Sequence, residues 1–395
     1  MSRQWISRAE ALQRLDVKPQ TLYAYVSRQR IAARADPTHP RKSLYALDDI
    51  ERLSTRAPGR QTGAPTPKPV LTGGPSVRGE AAIDSEIFVA IDDRPYYRTH
   101  DSLSLSETEN FESVAALLWN DEPNPFGALK PRPDVNFPGS PRARVLGMLS
   151  RRLEEEAMSE IVEARNLKGE AAGVLNELID AVTNGGPRLF FHQRLARAWK
   201  VNDSKDVDLI RRVLVLSADN GLDQATLAAR AAAAGQGPLA APVIAGFATL
   251  SGPALGGRVS RAESFVTQVR RQGNPRLVAE TFLRQGIELP GFETGQSACD
   301  ALRAESLMNA APHIGEDLKT LRAVGEDLTG KPLGFTLALA LIGRHLDLPK
   351  EAPFTLFGVG RSAGWLAHAI EQTESKSRPN IRLRYIGENP VVNAG

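Results

Sequence analysis

Gly360-Arg361-Ser362-Ala363-Gly364-Trp365-Leu366-Ala367-His368, followed by Glu371-Gln372, lies near the end of a long region whose apolar residues recur at the 3.6-residue period of an α-helix. Arg142 to Val162 and Asp203 to Ser217 show the same period clearly. Four other patterned blocks precede it in order. The first is Tyr96-Tyr97-Arg98, His100-Asp101, Phe111-Glu112-Ser113-Val114-Ala115 and Leu117-Leu118-Trp119. The second is Leu216-Ser217-Ala218-Asp219-Asn220-Gly221-Leu222-Asp223-Gln224-Ala225-Thr226. Leu250-Ser251-Gly252-Pro253-Ala254-Leu255-Gly256-Gly257 and Pro290-Gly291-Phe292-Glu293-Thr294 complete the set. Ahead of the helices, Phe88 to Arg98 reads as two short strands around an Asp92-Asp93 turn. The fold class is mainly α: an almost all-helical domain of more than 300 residues with a short N-terminal β-hairpin.

Working outward, three segments are expected in the 395 residues: a small module at 1–57, a linker at 58–79 rich in Pro, Gly and Thr, and the helical domain at 80–395, with a small subdomain at roughly 220–330. Hydrophobic residues make up 42% and charged residues 24%, so the chain can bury a sizeable core without a covalent or metal staple. The single cysteine, Cys299, excludes an intrachain disulfide and any zinc site built on several cysteines. A reducing, cytoplasmic setting is the simplest expectation. The N-terminus has no apolar run of signal-peptide length, and no stretch approaches the roughly 18 apolar residues of a membrane span. No metal-ligand spacing, phosphate-binding glycine loop or nucleophile elbow is present, so no metal and no cofactor are expected.

The charge is unevenly placed. Residues 1–60 hold 12 Lys/Arg against 6 Asp/Glu, and the remainder holds 37 against 40. In the basic module Ser7-Arg8-Ala9-Glu10 has the pattern of a capping box that opens a helix bearing Ala11, Leu12 and Leu15. A turn at Asp16 to Pro19 leads to a second helix over about Gln20 to Arg28, with Leu22, Tyr25 and Val26 apolar. Ile31 to Tyr45 reads as a two-stranded wing with a basic tip, and Asp48-Asp49-Ile50 begins a third helix. These residues resemble the winged helix-turn-helix of the MerR and excisionase type. That resemblance implies DNA binding, with Gln20, Thr21, Tyr23 and Arg28 facing the major groove and Arg41 and Lys42 on phosphate. Docking on protein instead of DNA is the alternative.

The five blocks of the large domain resemble, in order, the motifs of the citrate synthase family over about residues 84–388. The resemblance implies condensation of an acyl-CoA with an oxo-acid such as oxaloacetate. In that chemistry a carboxylate takes a proton from the acyl methyl carbon, one histidine stabilises the enol oxygen, and another polarises the keto group. This chain departs from the family at each of those positions: Leu255, Thr294 and Gly334 stand where two histidines and an aspartate are expected, and Asn220 replaces a further histidine. Each general acid or base typically contributes about 10²–10⁴-fold to rate, so little turnover by the family route is expected. His313, after Ala311-Pro312, is the candidate substitute acid or base. Of the remaining histidines, His368 is expected to pack on a neighbouring helix, His192 to lie at the surface or in a hydrogen bond, and His345 to be exposed.

Arginines that hold the oxo-acid carboxylates are better matched. Arg303 and Arg361 fall on two family positions. For the third, an ungapped count reaches Asn380, while Arg378 and Arg382 are the alternatives. Two arginines suffice for bidentate capture of carboxylates, although structural ion pairs would serve the same residues. The leading expectation is a homodimer, as the family implies, that senses a dicarboxylate, an oxo-acid or an acyl-CoA and carries a DNA- or protein-binding module. Two other readings stay open: an active citrate or 2-methylcitrate synthase using displaced residues, and a partner subunit of an active synthase.

Overall fold

The computed structural model describes residues 5–15, 22–23, 25–26, 31–36, 43–50, 83–121, 125–126, 129, 137–157, 166–185 and 189–375. The chain divides into two compact units, Met1–Val70 and Leu71–Gly395. Gln20, Thr21, Arg28, Arg41, Lys42, the segment 58–79, Arg378, Asn380 and Arg382 lie outside the described residues.

In the first unit, strand β1 (Trp5–Ser7) runs directly into helix α1 (Arg8–Leu15). The capping box is formed: the Ser7 N–H donates to Glu10 Oε2 at 3.0 Å, and the Glu10 N–H donates to Ser7 Oγ at 3.3 Å. Strands β2 (Ala33–Ala35) and β3 (Ser43–Ala46) pair antiparallel, with Ala33 opposite Tyr45. β1 adds to the other edge of β3, giving the order β1-β3-β2. This third strand was not expected, because three residues are too few to show an alternation. Ala11, Leu22, Ile31, Tyr45 and Ile50 form the core, with Leu12, Leu15, Tyr25 and Val26 packed against it. Buried Asp49 accepts from the Ala32 N–H at 3.0 Å and so ties the start of the last helical segment to the sheet.

The second unit opens with β4 (Phe88–Ile91) and β5 (Arg94–Tyr97), antiparallel with Phe88 opposite Tyr97. Asp92 and Asp93 have φ of 49° and 63°, the paired positive values of the tight turn that matches strand twist. A two-residue strand β6 (His100–Asp101) extends this sheet on the β5 side. Asp101 then caps helix α2 (Ser102–Thr108) by accepting from the Leu103 N–H.

Helices make up the rest of the described unit: α3 (Phe111–Leu118), α4 (Pro141–Ala157), α5 (Leu167–Thr183), α6 (Phe191–Ala198), α7 (Ser204–Ser217), α8 (Gln224–Ala233) and α9 (Ala240–Leu250). They continue with α10 (Gly257–Gln272), α11 (Pro275–Arg284), α12 (Ala298–Asn309), α13 (Glu316–Thr329), α14 (Phe335–His345) and α15 (Ala352–Ser375). Asn110, Asp203, Asp223, Asn274 and Ser297 cap their helices through side-chain oxygens, the residue types that satisfy the orphan N–H groups of a first turn. α15 is buried on nearly all sides and packs on α7, α8, α9 and α5. A helix enclosed in this way must be apolar around its circumference, and its Ala, Gly, Leu and Phe content meets that demand. Among the described residues no helix is long and apolar enough to cross a membrane.

Glu112 on α3 is a buried carboxyl group. Its Oε1 accepts from the Phe191 N–H at 2.6 Å, and Oε2 has no hydrogen-bond partner among the described residues. Burial pushes its pKa up to about 7, against the opposing pull of the Phe191 N–H and Arg194. A raised carboxyl value means that the folded state holds the proton more tightly than the unfolded chain. Its stabilisation is therefore complete below about pH 4.5 and lost as pH rises through about 7. Urea denaturation at pH 5 and pH 8 should show a fall in stability that shrinks by roughly 1–3 kcal/mol in Glu112→Gln. Identical pH dependence in the two proteins would refute this.

Candidate functional site

The sequence Ser217-Ala218-Asp219-Asn220-Gly221 ends α7 and turns the chain into α8. Asp219 Oδ1 accepts from the Gly221 N–H at 2.7 Å, and Gly221 supplies the φ of 65° the turn requires. Asp219 has no exposed surface. α15 passes directly beside it. A Cβ at Gly360 would lie 2.5 Å from Ser217 Cβ, and one at Gly364 would overlap Asp219 Oδ2. The glycines allow that approach, and the Gly364 N–H donates to Ala218 O at 2.9 Å.

Arg361 and His368, two turns apart on α15, share the face turned to this loop. Arg361, also without exposed surface, places Nη1 3.6 Å from Asp219 Oδ2. Its Nη2 donates to Asp223 Oδ2 at 3.0 Å and Thr226 Oγ1 at 2.7 Å. His368 Nε2 lies 3.4 Å from Asp219 Oδ2, while Nδ1 is 2.9 Å from Arg230 Nη1. Arginine only donates, so Nδ1 is the acceptor and Nε2 carries the proton toward Asp219. Arg230 is in turn paired with Glu371 at 2.5 Å, and Glu371 Oε1 accepts from the Glu86 N–H at 2.8 Å. Burial raises the Asp219 carboxyl, but His368, Arg361 and the Gly221 N–H outweigh it and hold it below the ordinary carboxylate range.

Arg303 on α12 approaches the same loop. Its Nη1 donates to Asn220 Oδ1, and its Nη2 donates to the Asp219 carbonyl at 2.7 Å. Tyr97 completes the enclosure: its hydroxyl lies 3.0 Å from Val215 O and 3.1 Å from Leu216 O, and accepts from the Asp219 N–H at 3.3 Å. Burial pushes the Tyr97 phenol above its usual range. Sequence reasoning had placed Tyr97 in a patterned block without giving it a role. Its hydroxyl contact spans 122 residues, which no local spacing displays.

The structure therefore brings Arg303, Arg361 and Asn220 together around one loop. It also gives both arginines internal acceptors. A cleft of about 810 Å³, with Arg271, Arg344, Lys350, Glu263 and Glu351 in its walls, lies between α10 and α14, and neither Arg303 nor Arg361 lines it.

The three other catalytic positions of the sequence reading hold no acid–base group. Leu255 packs against the core in the turn between α9 and α10, where Gly256 is pressed against Phe354. Thr294 is exposed, its N–H donating to Glu288 Oε1 at 2.9 Å and its hydroxyl accepting from Lys331 Nζ at 2.9 Å. Gly334 precedes α14 and donates its N–H to Gly291 O at 2.8 Å. The space a side chain at Gly334 would need is taken by the Gln296 amide, which also donates to Gly291 O at 2.9 Å.

His313 does not join this group, contrary to its reading as a substitute acid or base. It lies 2.9 Å from Asp206 in the first turn of α7, roughly 16 Å along the helix from Ser217 at 1.5 Å per residue. His192 is buried, not at the surface: it stacks on Phe190 at 5.8 Å, and burial lowers its pKa to about 4. His345, expected to be exposed, is half-buried against His313.

A family model described as citrate synthase, C-terminal domain, matches residues 172–384. A putative citrate synthase 2 of Mycobacterium tuberculosis (strain ATCC 25618 / H37Rv) is 25% identical over 199 residues, 48% of this chain and 53% of that protein. A citrate synthase of Haloferax volcanii is 26% identical over 188 residues, 45% of this chain and 50% of that protein. The chain spans about half the length of the curated relatives it matches. Among solved structures, a citrate synthase from Thermoplasma acidophilum in ternary complex with carboxymethyl coenzyme A and oxaloacetate superposes with a TM-score of 0.62 at 16% identity, covering 78% of this chain and 94% of that one. A citrate synthase from Thermotoga maritima gives 0.59 at 17%, covering 79% and 95%. These likenesses show the fold.

The buried cluster makes Asp219 a structural anchor in its own right. Asp219→Asn should cost about 3–5 kcal/mol, because it leaves Arg361 and His368 facing an uncharged group inside the protein. Chemical denaturation measures it, and a loss below about 1 kcal/mol would show that the ion cluster does not hold α15 in place.

Proposed function

This chain belongs to the citrate synthase family, and from that premise we propose that it is a member which does not perform the family's condensation with the family's residues, and instead binds an oxo-acid, a dicarboxylate or an acyl-CoA. The observation that carries the reading is the Gly334 position, where Gln296 fills the place of a side chain. An aspartate there would have to displace that amide, and Leu255 and Thr294 offer no titratable partner for it. Arg303 and Arg361 are what remains for anion recognition. Their present acceptors are Asn220, the Asp219 carbonyl, Asp223 and Thr226, so a ligand carboxylate would compete with those groups. The ligand classes follow the carboxymethyl coenzyme A and oxaloacetate held by the Thermoplasma acidophilum citrate synthase.

The purified protein, mixed with oxaloacetate and either acetyl-CoA or propionyl-CoA, should release no CoA above the uncatalysed rate. It should bind oxaloacetate or CoA in calorimetry, and Arg303→Met should weaken that binding by about 10-fold or more, given roughly 1.5–3 kcal/mol for a hydrogen bond to a charged group. Clear turnover would overturn the reading, and so would the absence of binding by every ligand.

We further propose a homodimer whose N-terminal units are winged helix-turn-helix modules that contact DNA. The net basic charge of residues 1–60 and the exposed Tyr23, 5.3 Å beneath the Arg8 guanidinium, support this. A twofold dimer would present two such units to a pseudo-palindromic site. Retention on duplex DNA should fall by orders of magnitude between 50 mM and 200 mM salt, and Arg41→Ala with Lys42→Ala should weaken it and flatten the salt dependence. Retention unchanged by that double substitution would remove these residues from the interface.

A further inference from the structure

Asp206, His313 and His345 are far apart in sequence, with 107 and 139 residues separating the histidines from the carboxylate. The fold brings them to one point. Asp206 sits in the first turn of α7, His313 in the connection between α12 and α13, and His345 in the last turn of α14. Both imidazole Nε2 atoms face the same carboxylate oxygen: His313 Nε2 is 2.9 Å and His345 Nε2 is 3.2 Å from Asp206 Oδ1. The rings meet edge to face with centroids 4.9 Å apart, and one ligand atom from each of the three residues lies within 4.8 Å of the others. Their side chains are 24%, 33% and 16% exposed, enough for an ion to enter and keep water.

We propose that this cluster is a binding site for a divalent transition-metal ion, zinc in the first instance. Two imidazole nitrogens and one carboxylate oxygen form a donor set that suits zinc and its first-row neighbours over magnesium or calcium, which take oxygen ligands. The direction is right: the N–H that would point at Oδ1 in the metal-free cluster occupies the same in-plane axis as the lone pair that binds a metal. Bonds of about 2.0–2.2 Å in a tetrahedron put ligand atoms roughly 3.3–3.5 Å apart. The two nitrogen–oxygen separations, 2.9 and 3.2 Å, fall just short of that, and with all three ligand atoms within 4.8 Å of one another the imidazoles and the carboxylate can adjust around an ion by side-chain rotation. Three protein ligands leave a fourth position for water or an exogenous donor. The bound ion would link the α12–α13 connection to α7 and α14. The expectation of no metal rested on local spacing alone, and a site assembled from three distant positions escapes that reading. This inference is independent of the proposed loss of condensation chemistry.

The test is titration of the untagged full-length protein, stripped with chelator, with zinc and separately with cobalt. One equivalent of zinc should bind per chain, and cobalt should give the visible absorption of a low-symmetry nitrogen–oxygen site. Zinc should raise Tm and chelator should reverse the rise. His313→Ala, on an accessible connection, and Asp206→Asn, which keeps the carboxylate's shape, should each weaken zinc by more than about 100-fold, since even outer-shell changes cost 10–100-fold. Failure of the unsubstituted protein to bind zinc or cobalt overturns the proposal and leaves a metal-free His–Asp–His hydrogen-bond cluster. Binding that both substitutions leave unchanged overturns it equally, by placing the ion elsewhere.

Discussion

Asp219 carries its charge where no water reaches it, and taking a carboxylate out of water costs several kcal/mol unless the surroundings restore what is lost. The surrounding elements are arranged to restore it. The Gly221 N–H bonds to Oδ1, Arg361 and His368 stand at 3.4–3.6 Å from Oδ2, and Tyr97 and Arg303 take the main-chain N–H and carbonyl. Each requirement reaches into a different part of the chain. α15 must come close enough to deliver a guanidinium and an imidazole, which makes Gly360 and Gly364 obligatory at the contact. The hairpin must lie over the loop, which sets Tyr97 and limits residue 221 to glycine against the Phe88 ring. One buried charge thereby couples β5, α7, α8, α12 and α15.

That coupling explains which parts of the molecule could be read in advance. Arg361, Gly364, Trp365 and His368 are all within two helical turns, so their shared duty shows as a compact motif. Trp365 belongs to it through packing: it meets Phe247 edge to face at 5.3 Å and lies over Gly246, where a Cβ would sit 2.5 Å from the ring. The helical period, the Ser7–Glu10 capping box and the Asp92-Asp93 turn were legible for the same reason, since each is settled by neighbours in sequence. β1 and β6 were not. Strands of three and two residues are defined by their partners, β3 and β5, and carry no pattern of their own.

The arginines illustrate a different limit. The sequence reading sets Arg303 and Arg361 at family positions, but a guanidinium that captures a ligand and one that secures a buried loop are the same residue in the same place. Their surroundings give the distinction. Asn220, read from the sequence as standing in place of a histidine, accepts from Arg303 through its amide oxygen. On the proposed reading, an asparagine in that place would do more than remove an imidazole: it adds an internal acceptor for the arginine. A ligand that reaches Arg303 must exceed that intramolecular bond, which is already organised and costs no translational entropy.

α7 gives these observations a common frame. Its C-terminal end leads into the Asp219 loop, and its N-terminal turn carries Asp206 between two histidines. The charge at each end is matched to a partner from distant sequence: α15 and α12 at one, α14 and the α12–α13 connection at the other. α12 is therefore bound to α7 twice, through Arg303 on the helix itself and through His313 just beyond it. The helix between them is apolar along the core face, with Leu209, Ile210, Val213, Leu214 and Leu216 fully buried, so it acts as a rigid spacer of fixed length. A shift of α12 relative to α7 cannot relax at one end alone. A ligand that draws the Arg303 guanidinium from Asn220 by side-chain rotation leaves α12 in place, whereas one that moves α12 itself displaces the connection that carries His313 as well.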